Sequence, residues 1–480
     1  MTAPGLALFT GLVASAMRPA PPLVAADSAL AAAVAAMAAA GETCVVAVNA
    51  AGRAVGILTE RDVVRRVAFR ARPDDPVAQA MSAPVQTVSA EEHLYRAVGL
   101  MHARGHRHLV VVDDAGRPVG TLRRVDAYAA ASARLLAAVE TLARGDDEAG
   151  FAATRSAQAG LARTLLDDGV PAAEVIGVVS EINLDIHRRV VERALAAAGP
   201  SPVPFTLIVM GSGGRGESLL APDQDNGLIL ADYPDARHGE VEAWFIPFAE
   251  DLNARLAAAG FPLCKGEVMA RNPVWRKTLG QWRAQFTLWA ERRSPVALLF
   301  GDIAFDFRAV WGDPAPAEAL RAHLARVLAA YPAFLAALAA EDAKLTVGLS
   351  FWHGFRDDEP GPGRRTDLKR SGLMPLVAAA RLLALRHGIA ATGTRARLAA
   401  LAAAGAVAAE EAAALSAAFE HLAGALLRQQ LADAEEGRPP GTLADLRRLP
   451  RADQEAIRAA MRRVAAFQRD VKAAFGGGVW

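Results

Sequence analysis

Residues 205–230 read Phe205-Thr-Leu-Ile-Val-Met-Gly-Ser-Gly-Gly-Arg-Gly-Glu-Ser-Leu-Leu-Ala-Pro-Asp-Gln-Asp-Asn-Gly-Leu-Ile-Leu230. The apolar, β-branched run Phe205 to Met210 predicts a buried strand. Gly211-Ser212-Gly213-Gly214 predicts a tight turn, and a short helical turn after it carries Arg215 and Glu217. Pro222 breaks that turn, and a second strand is expected to begin at Asp223-Gln224-Asp225 and run to Leu230. Glycines let a backbone approach a ligand closely, and N–H groups at a helix start favour an anion. Asp223 and Asp225, two apart on a strand, would present both carboxylates on one face. Two hard oxygen ligands beside a phosphate cradle suit Mg²⁺ shared between protein and nucleotide, an arrangement fit for metal-assisted nucleotidyl transfer.

The pattern Gly211-Ser212-x-Gly214-Arg215-Gly216-Glu217, with Asp223-Gln224-Asp225-Asn226 after it, resembles the signature of the DNA polymerase β-type nucleotidyltransferase superfamily. Within it, the chain is similar to the branch of PII uridylyltransferases and glutamine synthetase adenylyltransferases, and most of all to the nucleotidyltransferases that occur behind CBS-domain pairs. The resemblance runs over nearly the whole chain. It implies an α+β multidomain fold: a CBS pair, a polymerase β-like α/β domain and a C-terminal helical bundle that serves as a substrate-binding domain. It also implies Mg²⁺-dependent transfer of NMP from an NTP to a hydroxyl acceptor, by analogy a protein tyrosine. Asp223 and Asp225 would then hold the metal and act catalytically, while Gly211, Ser212 and Arg215 would bind the triphosphate. Glu217 would brace the glycine turn by accepting from its N–H groups.

The superfamily adds a third carboxylate that completes the metal site and deprotonates the acceptor. Glu267, after the strand-like segment that follows Gly260-Phe261-Pro262, is favoured over Asp306. Asp367-Leu368-Lys369 followed by Gly372-Leu373, within Arg364–Leu376, resembles a stretch that faces the nucleotide cleft in related transferases. It marks Lys369 and Arg381 as candidate contacts. The chain has no adjacent His-Asp pair, so the phosphohydrolase activity of the PII uridylyltransferases is not expected. Two other functions fit the same residues: a non-catalytic adenine-nucleotide sensor, and a nucleotidyltransferase acting on a small molecule.

Residues 17–70 and 81–134 align at a constant offset: Met17 with Met81, Val24 with Val88, Met37 with Met101, Gly52 with Gly116, Gly56 with Gly120 and Asp62 with Asp126. Each copy reads as a short strand, a helix (Ser28–Ala40 or Ala90–Arg104), two strands about a turn and a second helix. A fixed-period repeat argues duplication and pseudo-two-fold packing. The unit resembles a CBS pair, the module that binds adenine nucleotides (AMP or ATP) in many proteins. The ligand signature of that family is Gly, a hydroxyl residue three later and Asp six later. Gly56, Thr59 and Asp62 match it; in the second copy Gly120 and Asp126 match, but Arg123 replaces the hydroxyl. Thr59 and Asp62 are equally suited to capping a helix.

The remaining composition narrows the alternatives. A chain of 480 residues exceeds one ordinary core, and 52% hydrophobic with 22% charged residues is globular. A net charge of +1 gives no electrostatic case for nucleic acid. Two cysteines, Cys44 and Cys264, form no disulfide framework, which fits a reducing cytoplasm. Residues 6–16 resemble a signal-peptide core but lack a basic lead, so they are read as part of the first domain, and no apolar run is long enough to span a bilayer. The expected organisation is a CBS pair at 10–135, linking helices at 136–200, a nucleotidyltransferase domain at 201–313 and a helical domain at 314–480. The helical pattern before the catalytic segment starts at Leu135 and breaks at Gly145-Asp146-Asp147; the last domain reads as helices over 315–340, 341–354, 373–387, 393–404, 408–434 and 451–474, with a turn at Gly361-Pro362-Gly363. A homodimer is expected by analogy with other CBS pairs.

Overall fold

The computed structural model describes residues 11–68, 70–128, 148–350, 354–358 and 365–476. The expected helix from Leu135, the break at Gly145-Asp146-Asp147, the turn at Gly361-Pro362-Gly363 and the basic Arg364 lie outside them. The chain divides into two compact units, with the boundary between Gly145 and Asp146.

In the first unit, one sheet joins β2 (Leu23–Ala25), β3 (Cys44–Val48) and β4 (Ala54–Thr59). Another joins β1 (Arg18–Pro19), β7 (Pro118–Arg123), β6 (His108–Val112) and β5 (Thr87–Ser89). Helices α1 (Leu30–Ala40) and α2 (Leu94–Arg104) each end on a glycine at φ near +66°, Gly41 and Gly105, where a side chain would strain the αL turn. The duplication is visible as reciprocal contacts. A Cβ on Gly56 would collide with Met81, and one on Gly120 would stand 2.5 Å from the Arg18 carbonyl and 3.1 Å from Met17 Sδ. Each copy thus lays its first segment across the Gly-bearing strand of the other: Arg18 pairs with Thr121, and Ser82 bridges to Ile57. The core is β-branched and aliphatic, with Val45, Ala47, Leu58 and Val77 wholly buried.

In the second unit, α3 (Glu148–Asp167) and α4 (Ala172–Ala198) lead into a four-stranded sheet. Its order is β10 (Arg276–Thr278), β9 (Asn226–Leu230), β8 (Phe205–Val209) and β11 (Arg308–Trp311). Only β10 and β9 run parallel; β8 is antiparallel to β9 and to β11. Between β8 and β9 lies the five-residue helix α5 (Gly211–Arg215), and α6 (His238–Ala258), α7 (Leu279–Arg292) and α8 (Pro295–Ala304) complete this part. Trp275 and Trp282 are buried beneath the sheet, and Trp282 Nε1 donates to the Leu228 carbonyl at 2.9 Å. These tryptophans are therefore core packing.

The helical half comprises α9 (Ala315–Ala330), α10 (Pro332–Asp342), α11 (Met374–Arg386), α12 (Thr394–Ala403), α13 (Ala409–Glu435) and α14 (Arg451–Gly476). Two helices differ from expectation. A single helix over 315–340 is split at Pro332, which opens a new helix instead of continuing the old one. The helix expected over 341–354 stops at Asp342, and the described residues after it form turns, with Leu349 bridging Phe355. No single helix among the described residues is long and apolar enough to cross a membrane.

Candidate active site

The glycine turn is built by sterics. Gly211 has φ +58°, and a Cβ there would stand 2.8 Å from Asp225 Oδ2, so both its conformation and its neighbour favour glycine. The Met210 N–H donates to the Asp225 carbonyl at 2.8 Å, fastening the end of β8 to the acidic segment. That segment is extended, but β9 itself begins only at Asn226, so Asp223 and Asp225 lie on its approach rather than within the strand. The expected alternation survives. Gln224 is buried between an exposed Asp223 and a half-buried Asp225, which leaves both carboxylates on the outer face. Gln224 holds this register by donating to the Asn253 and Phe261 carbonyls at 3.0 and 2.7 Å and accepting from Asn253 Nδ2 at 2.9 Å.

Burial pushes Asp225 up to about 6. The Cys264 thiol, which donates a hydrogen bond to it, works against this shift, the nearby Asp223 charge adds to it, and Lys369 and Arg215 oppose it. Cys264 is in turn raised to about 11 by burial and by Asp225. Lys369 opens the turn of π-helix Lys369–Leu373, so the helical half brings its cation within electrostatic reach of Asp225. Gly211, Ser212, Asp223, Asp225 and Lys369 therefore share one neighbourhood.

Other candidates go elsewhere. Glu267 sits at φ +55° in a turn, not after a strand, and its carboxylate is gripped by Arg271 at 2.6 and 3.1 Å. It borders a hollow with Glu250, Ala254 and Leu263, although its backbone neighbour Val268 accepts from the Asn226 N–H at 3.0 Å, beside the acidic pair. Asp306 is wholly buried and receives Arg215 Nη1 at 2.9 Å, Arg381 and Arg397, so it is a structural anion. Arg215 spends its guanidinium on Asp306 and on Glu217 at 2.9 Å, which ties it into the scaffold while its charge still reaches Asp225. Arg381 is 2% exposed and paired with Asp302 and Asp306, so it is no surface contact for a nucleotide. Glu217 does not brace the glycine turn; besides Arg215 it accepts from the backbone N–H and, at 3.1 Å, the hydroxyl of Thr394. Among the described residues no set of three or more His, Cys, Asp or Glu converges as a metal site. Two carboxylates remain, and these suit Mg²⁺, which takes one or two protein carboxylates and completes its shell with phosphates and water.

The first unit contains a cleft of about 610 Å³. Thr59 and Asp62 line it beside Arg61, Arg65 and Arg123. The capping role is realised too: Thr59 Oγ1 donates to Asp62 Oδ2 at 2.7 Å, and the Thr59 N–H donates to the same oxygen at 3.1 Å. In the second repeat, Arg123 replaces the hydroxyl residue and takes the carboxylate for itself. Arg123 holds Asp126 at 2.7 and 3.0 Å, and Arg18 adds another bond at 2.9 Å. These partners hold Asp126 far below the usual carboxylate range, and Asp126 does not line the cleft.

A family model described as "Putative nucleotidyltransferase DUF294" matches residues 156–296, and one described as "Putative nucleotidyltransferase substrate binding domain" matches 332–475. The CBS domain model matches twice, at 13–68 and 77–132. The chain belongs to the CBS-associated DUF294 family. A curated relative, Uncharacterized protein MK0525 of Methanopyrus kandleri, is 40% identical over 84 residues, 17% of this chain and 43% of that protein. Another, Uncharacterized protein MJ1404 of Methanocaldococcus jannaschii, is 38% identical over 80 residues, 16% of this chain and 19% of that protein. The chain thus spans less than half the length of these curated relatives. Among solved structures, the CBS domain protein PAE2072 from Pyrobaculum aerophilum, complexed with AMP, is 24% identical and covers 24% of this chain and 88% of its own, with a TM-score of 0.23. A conserved protein from Pyrococcus horikoshii is 20% identical and covers 25% of this chain and 89% of its own, at 0.23.

In this DUF294 protein the nucleotidyltransferase-type domain and the substrate-binding domain are joined by buried charge. Asp306 lies between them in sequence and ties Arg215 of the first to Arg381 and Arg397 of the second. Gly214 makes the contact possible, because a Cβ there would stand 1.9 Å from the Asp306 carbonyl oxygen. Glu217 adds a second tie at the start of α12. None of these long-range partners is signalled by local spacing. The available hint is that Phe305-Asp306-Phe307 puts a charge between two aromatic residues, which demands a buried partner.

Proposed function

We propose that this protein is a Mg²⁺-dependent nucleotidyltransferase that moves NMP from an NTP to a hydroxyl acceptor, with an adenine nucleotide bound at its CBS pair as regulator. The observation that carries this reading is the apposition of Asp225 to Gly211, where a Cβ would stand 2.8 Å from Asp225 Oδ2 on a left-handed backbone, with Asp223 on the same face and Lys369 in electrostatic range. Asp223 and Asp225 would hold the cation, which when bound supplies charge neutralisation at the phosphates. Ser212 and the glycine turn would seat the phosphate chain, and Lys369 would add a positive charge to it. The acceptor oxygen bonds to the α-phosphorus, the bond to the bridging oxygen breaks and pyrophosphate leaves. The hydroxyl proton passes to solvent. The resemblance to PII uridylyltransferases makes a protein tyrosine the first acceptor to test.

Labelling from an α-³²P NTP series tests this reading. Label transfer should need Mg²⁺ and vanish in Asp223→Asn and Asp225→Asn. Transfer retained in both variants would remove the assigned roles.

A second reading, a non-catalytic adenine-nucleotide sensor, draws on one observation: no third carboxylate joins the acidic pair among the described residues. It predicts AMP or ATP binding dependent on Asp62 and no product from any NTP.

A further inference from the structure

Within the second unit, a hollow of about 340 Å³ opens between α9, the chain leaving α11 and α12. Its walls are apolar: Phe305, Leu324, Leu385 and Ile389, with Ala322 and Ala325 toward the rim. Two guanidinium groups also line it, those of Arg321 and Arg397. It shares no lining residue with Gly211, Ser212, Asp223, Asp225 or Lys369, so a ligand here is independent of the transferase reading.

The charges around this hollow are unevenly paired. Asp306 gives one oxygen to Arg215 and Arg381 and the other to Arg397. Arg215 has a second partner in Glu217, and Arg381 has two more in Asp302 and Asp342. Among the described residues Arg397 has Asp306 alone as its carboxylate and its buried Nη1 has no hydrogen-bond partner, while its Nε donates to the Ala391 carbonyl at 2.9 Å. Arg321 has no carboxylate partner among the described residues. It donates to the Phe307 carbonyl and lies over the Phe307 ring, 4.3 Å from its centroid. A guanidinium drawn out of water without a counter-ion is costly, and an anion beside it offsets that cost. Glu318, exposed on the lining one turn before Arg321, adds a negative charge that opposes a dianion.

We propose that this hollow binds a small organic monocarboxylate with an apolar body, its carboxylate on Arg321 and its hydrocarbon against Leu324, Leu385 and Ile389. Apolar walls with a few convergent polar groups are the usual make-up of a small-molecule site. The volume suits roughly ten non-hydrogen atoms at liquid-like density.

The test is calorimetric titration of the full chain with hexanoate, octanoate and 3-phenylpropanoate, each against its own amide. At least one acid should bind saturably with Kd below about 1 mM, and its amide at least about tenfold more weakly. Arg321→Gln should weaken the acid by a similar factor. Ala325→Trp, which fills the hollow from its exposed rim and leaves the buried charges untouched, should abolish binding without lowering Tm. The proposal is overturned if no acid reaches that affinity, if acid and amide bind alike, or if Ala325→Trp leaves acid binding intact.

Discussion

Gly211 and Asp225 define each other at the level of single residues. Gly211→Ala places a methyl 2.8 Å from Asp225 Oδ2 on a backbone at φ +58°, so it should cost about 1–3 kcal/mol in denaturant unfolding and remove NTP binding. Ala at Gly216, also at positive φ but with open space around its Cβ position, should cost stability alone and keep NTP binding. Asp225 gives a pH dependence of definite sign. Its ordinary value of 3.8 rises to about 6 in the fold, chiefly by burial, so the folded state holds the proton more tightly than the unfolded chain. Its contribution to stability therefore falls as pH rises from about 4 to about 6. Cation binding needs the ionised carboxylate and should weaken about tenfold for each pH unit below 6. Asp225→Asn should flatten the Tm profile over that range. An unchanged profile would show that Asp225 titrates as it does in solvent. The Asp223/Asp225 pair was legible in the sequence because a two-residue spacing in an extended segment fixes a shared face. The roles of Arg215, Glu267 and Asp306 were not, because a charged residue's partner is chosen by tertiary neighbours far away in the chain.

Among the elements, the loop between α5 and β9 is clamped from several sides. Ser218 N–H donates to Ser180 Oγ on α4 at 2.7 Å, Gln430 on α13 accepts from the Leu220 N–H at 3.1 Å, and Arg155 on α3 donates to the Leu220 carbonyl at 2.8 Å. Arg155 is half-buried with no carboxylate partner among the described residues, and it lies over the Phe261 ring, whose residue carbonyl holds Gln224. Burial pulls its guanidinium down to about 10. Arg155→Met should keep the fold, since an apolar replacement removes a desolvated charge, but should loosen the loop. The expected result is weaker Mg²⁺–NTP binding with little change in Tm; unchanged binding would confine Arg155 to packing. Arg397→Met differs, because it leaves Asp306 short of one of its three arginines. A loss of about 3–5 kcal/mol is expected. Helix positions were readable from periodicity and from glycine and proline punctuation, whereas the split at Pro332 shows a proline starting an element where continuous apolar spacing suggested one long helix.

For the whole molecule, the first unit was the most legible part. Duplication doubles every signal, and the offset that aligns Gly56 with Gly120 also aligns Gly41 with Gly105 and the reciprocal methionine contacts. The asymmetry between repeats was visible as Arg123, but its consequence needed the structure: Arg123 and Arg18 together occupy Asp126. AMP should therefore bind once per chain, with Asp62→Ala removing that site and leaving Mg²⁺–NTP binding untouched. Calorimetry giving two equivalent AMP sites would contradict this. Nucleotide binding at Asp225 in the second unit is what the transferase reading stands on. Thermal shift of the full chain with each NTP, with and without Mg²⁺, in wild type and Asp225→Asn, decides it. Ligand binding to the folded state raises Tm by an amount set by ligand concentration over its dissociation constant. A Mg²⁺-dependent rise with at least one NTP is expected in the wild type, and none in the variant. A rise indifferent to both Mg²⁺ and Asp225 would overturn the reading and leave the nucleotide at the CBS pair alone.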